Sequence, residues 1–246
     1  MRLSLALILA TGLFALPGLD NAEQVASLLK RFEGTYRSSR TLRADFLERY
    51  FDNGREVRAE SGIAYFAKPG RMRWEYIAPE SNLYLVDGKW SWFYVPADHT
   101  VIRIRAKASG DARTPLALLA GEVRLSRICK GVNAEQRVHA SNPNGVVLRC
   151  TLRGSDEIAA SESNVRAKTS ASGSSYASFE LNRENGQLLR VVVVDPGGVQ
   201  VEFQFKNWAF DPPLEDAKFH FSPPKGVAIV DGNLGASDRN DSQRAR

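Results

Sequence analysis

Along most of the chain apolar and polar side chains alternate with a period of two, and turn dipeptides interrupt the alternation at short intervals. Asn53-Gly54, Pro69-Gly70, Asp87-Gly88, Asn144-Gly145, Asn185-Gly186 and Pro196-Gly197-Gly198 supply a positive or preset φ where antiparallel strands reverse. The alternation between them predicts strands from 42 to the turn at 52–54, and at 57–66, 71–77, 83–86, 90–95, 100–105, 127–132, 146–152, 176–181, 188–194 and 199–205. The clearest is the last: Val199, Val201, Phe203 and Phe205 oppose Gln200, Glu202, Gln204 and Lys206. Such a division places one face on an apolar interior and the other toward solvent. The spacing reads as a meander, so the fold class is mainly β.

Two segments change period. Over 22–36, Val25, Leu28, Leu29, Phe32 and Tyr36 recur at helical spacing and predict an amphipathic helix with one apolar stripe. Thr114-Pro115 opens a second, short helix, with threonine as cap and proline at the first helical position. Its body, Leu116 to Ala120, is apolar all round and stops at Gly121, so it is either packed on every side or in contact with an apolar ligand. The Ser/Ala-rich stretch 154–175 has no periodicity and reads as a surface insertion, because strands resume at Tyr176. The polar segment 231–246 reads as a flexible tail.

The N-terminus places the chain in a compartment. Met1-Arg2, the apolar run from Leu3 to Leu16, and Pro17-Gly18 match the charged, hydrophobic and helix-breaking regions of an export signal, assigned to 1–22. The run is shorter than the roughly 20 residues that span a bilayer. No cysteine follows the run closely, so the chain lacks a site for its own acylation. The expectation is a soluble periplasmic protein with one domain over 23–230; a length of 246 residues, 43% hydrophobic, suffices for one sizeable core. The two cysteines, Cys129 and Cys150, are read either as a bridge, which export favours, or as two buried thiols.

The formal charge of +5 brings nucleic acid or an anionic surface into question. Arg43, Arg49, Arg58, Arg73, Arg103, Arg105 and Arg149 are spread as polar partners along strands, with no lysine-rich block, which reads as a solvated face and no nucleic-acid partner. Catalytic patterns have little support. His99, His139 and His220 lie far apart with no paired cysteine motif or carboxylate cluster at ligand spacing, so no metal is expected. No phosphate-cradling glycine loop occurs, so no nucleotide cofactor is expected. Ser27 and Lys30 match an acyl-hydrolase Ser-x-x-Lys pattern, but its companion elements are missing. The expectation is a binding protein, not an enzyme.

One stretch carries a resemblance. Tyr65 to Pro79 (YFAKPGRMRWEYIAP) resembles the signature of the periplasmic outer-membrane lipoprotein carrier family. Leu85-Val86-Asp87-Gly88-Lys89 with Trp92 to Pro96, Thr114 to Leu119, and Phe219 to Val227 agree in order and spacing. The resemblance implies an incomplete, open antiparallel β-barrel of about eleven strands, with a lid of short α-helices over an apolar cavity that holds lipoprotein acyl chains. It implies acylated lipoproteins as cargo, loading by an ATP-driven inner-membrane transporter, delivery to an outer-membrane acceptor, and a monomer without cofactor. A carrier or sensor of another lipid or glycolipid would use the same barrel. On this reading Met72, Trp74, Tyr76, Trp92, Val199, Val201, Phe203 and Phe205 line the cavity, and Leu116 and Leu119 belong to the lid. The family's lid latch is an arginine just before the signature proline. Here that position is Lys68, which keeps the charge without the planar multi-donor fork.

Overall fold

The period-two segments fold into one continuous sheet, because each alternating strand has an apolar face to hide and a neighbour a short turn away. In the computed structural model, residues 17–106, 114–121, 125–136, 138–153, 176–195 and 197–232 are described. Residues 1–16 of the expected signal, the 154–175 insertion, Pro196 of one turn, and 233–246 of the expected tail lie outside them.

The chain opens with α1 (Pro17–Ser38), then runs β1 (Thr41–Asp52), β2 (Arg55–Ala67), β3 (Arg71–Ala78), β4 (Leu83–Val86), β5 (Trp90–Val95) and β6 (Thr100–Arg105). A 3-10 helix (Thr114–Ala120) and the one-turn α2 (Leu125–Ile128) precede β7 (Cys129–Ala134). The remaining strands are β8 (Gly145–Leu152), β9 (Tyr176–Asn182), β10 (Leu188–Val194), β11 (Val199–Phe210) and β12 (Ala228–Asp231). The order across the sheet is β12-β6-β5-β4-β3-β2-β1-β11-β10-β9-β8-β7. Every pairing is antiparallel except β12 beside β6. The outermost strands β12 and β7 do not pair with each other, so the sheet is open.

Two expectations are corrected. The described residues hold twelve strands, not about eleven. The added one, β12, has all four residues exposed and therefore no alternation to announce it. It is held by ladder bonds and by Asp231, whose carboxylate takes hydrogen bonds from Arg103 Nε and Nη2 at 2.7 and 3.0 Å. Asp231 thus belongs to the sheet and not to the tail. Second, the covering helices are one 22-residue α-helix, a 3-10 segment and a single α-turn, not several short α-helices. Gly121, at φ +81°, donates its N–H to the Leu118 carbonyl and ends the 3-10 segment after seven residues.

The main core lies on the concave side, between the sheet and α1. Leu28, Phe32 and Tyr36 are buried there with Leu42, Phe46, Phe66, Trp74, Leu148, Phe179, Leu188, Phe203 and Phe205. Arg31 Nη1 donates to the carbonyls of Arg183 and Glu184, both at 2.7 Å, and fixes α1 over the β9–β10 turn. Tyr36 Oη accepts the Leu188 N–H at 2.9 Å, and burial pushes its phenol far above the ordinary range. A smaller cluster, Leu85, Trp92 and Val101, sits on the opposite side of the sheet under Phe221 and Val227. Cys129 and Cys150 form a disulfide that ties β7 to β8.

Candidate functional site

Register shows how the concave face is assembled. Met72, Phe66, Leu42 and Phe210 form one row across β3, β2, β1 and β11; Tyr76, Gly62, Phe46 and Phe205 form another. Trp74 lies between these rows, fully buried, with ring centroids 4.8 Å from Phe46, 5.7 Å from Phe66 and 5.5 Å from Phe203. The surface continues along Phe203, Val191, Phe179 and Leu148, and along Val201, Val193, Ala177 and Cys150. The result is an apolar trough floored by strands from both halves of the sheet. Edge-to-face ring geometry lets these aromatics pack without a hydrogen-bonding demand at their faces.

Six of the eight sequence-selected lining residues meet here: Met72, Trp74, Tyr76, Val201, Phe203 and Phe205 are all buried in the same cluster. Two do not. Trp92 points to the other side of the sheet, into the small cluster with Leu85 and Val101, and its Nε1 donates to Asp87 Oδ2 at 2.8 Å. Alternation in β5 identifies a covered face but not which side it is on, and here both sides are covered. Val199 is 41% exposed, because β11 begins beyond the last row of the trough.

Leu116 and Leu119 are buried in the main cluster, and the Ala120 carbonyl accepts the Gly70 N–H at 3.1 Å. The 3-10 segment is therefore seated on the turn that follows β2. Lys68 stands at the junction of the covers. Its Nζ donates to the carbonyl oxygens of Tyr36, at 3.0 Å, and Arg37, in the last turn of α1. Its methylenes lie against Gly121, where an added Cβ would come within 2.8 Å of Lys68 Cε. Desolvation is the main cause that holds its ammonium below the usual lysine range. Where α1 passes over the open edge, a cavity of about 480 Å³ is bounded by Val25, Leu28, Ala134 and Val146, with Arg31 and Arg183 at its margin.

The sequence reading missed one interior polar group. Glu48 is fully buried on the concave face and accepts hydrogen bonds from Tyr50 Oη and Tyr76 Oη, each at 2.5 Å. The available signal was register: Glu48 stands two residues beyond Phe46, on the same face of β1. The polar face of β11 was also misread, since Glu202 is buried among Arg49, Arg190 and Gln204 on the convex side. The described residues contain no group of three or more His, Cys, Asp or Glu that could hold a metal. None of their helices is long and apolar enough to cross a membrane.

A trough whose floor is mostly aromatic and aliphatic is suited to enclosing an apolar molecule. The comparisons agree with that geometry. Residues 37–141 match the family described as outer membrane lipoprotein carrier protein LolA, and residues 185–231 match a predicted periplasmic protein family, DUF2092. An outer-membrane lipoprotein carrier protein of Chromobacterium violaceum is 29% identical over 210 residues, 85% of this chain and 89% of that protein. A protein of the same name from Nitrosospira multiformis is 30% identical over 207 residues, 78% of this chain and 83% of the relative. Among solved structures, an uncharacterized conserved protein from Thermus thermophilus shares the fold, with a TM-score of 0.50 at 14% identity, covering 85% of this chain and 99% of that one. With the trough, its covers and relatives matched over most of their length, the chain belongs to the outer-membrane lipoprotein carrier family.

Proposed function

We propose that this protein is a periplasmic carrier that hides the acyl chains of lipoproteins in the concave trough and takes them from the inner to the outer membrane. One observation carries the reading. An open sheet turns a largely aromatic and aliphatic surface inward, beneath helical covers held by contacts between segments far apart in the chain. Each methylene left in water costs about 0.8 kcal/mol, so a triacylated protein crossing an aqueous space carries a penalty on the order of tens of kcal/mol. A carrier needs apolar area and a cover that moves, and it needs no catalytic residue.

On this reading the lining comprises Met72, Trp74, Tyr76, Val201, Phe203 and Phe205, the cover includes Leu116 and Leu119, and Lys68 latches it. The working unit is one domain, with its C-terminal bound moved from 230 to Asp231 by the pairing of β12, acting as a monomer. An ATP-driven inner-membrane transporter loads it, and an outer-membrane acceptor that binds the chains more tightly unloads it. The test is native mass spectrometry of the mature protein released gently from its own periplasm, followed by denaturation. Release of an acylated protein is the expected result. A free phospholipid or glycolipid in its place would overturn the cargo assignment in favour of lipid transfer.

A further inference from the structure

A cavity of about 480 Å³ lies beside the filled trough, where α1 crosses the free edge of the sheet. Its volume falls within the roughly 300–1,000 Å³ of small-molecule sites. Val25 and Leu28 of α1 form one wall, and Ala134 of β7 and Val146 of β8 form the floor. Val146 is two residues from Leu148 on the same face of β8, and Ala134 is the register partner of Leu148. The floor therefore extends the apolar surface of the trough to the outermost strand, where β7 has no neighbour. Ala134, Arg31 and Arg183 are exposed, so this groove opens to solvent with the covers closed.

Both walls are fixed without a ligand. The Cys129–Cys150 bridge ties β7 to β8, and Arg31 Nη1 holds α1 to the carbonyls of Arg183 and Glu184. Little ordering is left for a ligand to impose. The margin is cationic. Among the described residues, no hydrogen bond or ion pair takes up the Arg183 guanidinium, and none joins Glu23 to either arginine. The other neighbouring carboxylates are directed elsewhere: Glu135 lies 3.2 Å from Arg149, and Glu184 accepts a hydrogen bond from Asn144 Nδ2 at 3.4 Å. A guanidinium with its planar fork unspent, at the margin of an apolar floor, matches a carboxylate on a hydrocarbon chain.

We propose that this groove is a second lipid site, which takes a long-chain fatty acid with its chain on Val25, Leu28, Ala134 and Val146 and its carboxylate on Arg183. The inference goes beyond the carrier reading, since it does not depend on what the trough holds and needs no movement of the covers. An esterified chain makes the same apolar contacts but brings no anion to the guanidinium. The site therefore separates the free acid, ionised at neutral pH, from the ester.

The experiment is equilibrium dialysis of the mature protein, freed of bound lipid, against dodecanoate and against dodecanol. The parent should hold dodecanoate about tenfold more tightly than the alcohol. Arg183→Met keeps an apolar stem and removes the fork; it should weaken dodecanoate about tenfold and leave dodecanol at its parental affinity. Ala134→Trp, at an exposed position, fills the groove and should abolish dodecanoate binding. Lys68→Met, which frees the covers over the trough, should leave dodecanoate binding unchanged. Parental dodecanoate affinity in either Arg183→Met or Ala134→Trp overturns the site, as does a parent that does not bind dodecanoate. Tighter dodecanoate binding by Lys68→Met would put the acid in the trough and also overturn it. None of these outcomes bears on whether an acylated protein leaves the trough on denaturation, so the carrier reading stands or falls separately.

Discussion

Gly62 sets the closest approach in the trough. A Cβ there would lie 1.9 Å from the Glu75 carbonyl oxygen and 3.0 Å from Phe46 Cε1, so the β2–β3 pair closes because this residue has no side chain. The obstacle is backbone, which cannot rotate away. Gly62→Ala is expected to cost at least about 2 kcal/mol, read as a lower denaturant midpoint; an unchanged midpoint would mean that the strands spread freely. Trp74 poses the opposite problem. It is fully buried among Phe46, Phe66 and Phe203, and Trp74→Ala should cost about 3–5 kcal/mol through the void it leaves. Residue-scale legibility was uneven for a physical reason. Met72, Trp74 and Tyr76 could be assigned to one face because every second residue of a strand shares it. Trp92 could not be given its side, because residues 221 and 227 cover the reverse of the sheet, and sequence alternation says nothing of that cover.

At the scale of elements, turn chemistry located most strands, and what it missed was held by other forces. β12 is a strand by pairing alone, and the 114–120 segment is a 3-10 helix that ends at Gly121, where the apolar run also ends. The β4–β5 turn shows how much one side chain can organise. Asp87 accepts the N–H groups of Lys89 and Trp90 and the indole N–H of Trp92. Burial alone would raise its carboxyl, but these three donors outweigh burial and hold it below the usual carboxylate range. A depressed folded value means stability that is present above the unfolded pKa and lost as pH falls through the folded one. Asp87→Ala should therefore cost about 1–2 kcal/mol at neutral pH. The gap to the parent should shrink below about pH 4; a gap constant from pH 7 to pH 3 would contradict the assignment. At the edge, the disulfide restrains β7 across a sequence separation of 21. Replacing both cysteines with serine should cost about 3 kcal/mol, seen as a lowered melting temperature that reductant no longer changes.

At the scale of the molecule, the trough is filled by its own side chains beneath α1 and the 3-10 segment, so on the proposed carrier function cargo would enter by lifting those covers. Lys68 is placed to control that step. It reaches two carbonyls at the C-terminal end of α1, where a cation also suits the helix dipole, and its stem lies against Gly121 at the end of the other cover. One side chain therefore links both covers to the turn after β2. Lys68→Met keeps the methylene packing and removes the donors. If those donors favour the closed arrangement by about 1 kcal/mol after allowance for solvent, their loss raises the open population about fivefold. A dye that binds the open form should then bind about fivefold more tightly, and α1 amides should exchange faster while those of β1 and β11 do not. Lys68→Arg should restore both to parental values, since a guanidinium can reach the same carbonyls. Unchanged dye affinity together with unchanged α1 exchange in Lys68→Met would place the control of opening elsewhere, with the cavity between α1 and β7–β8 as the next place to look.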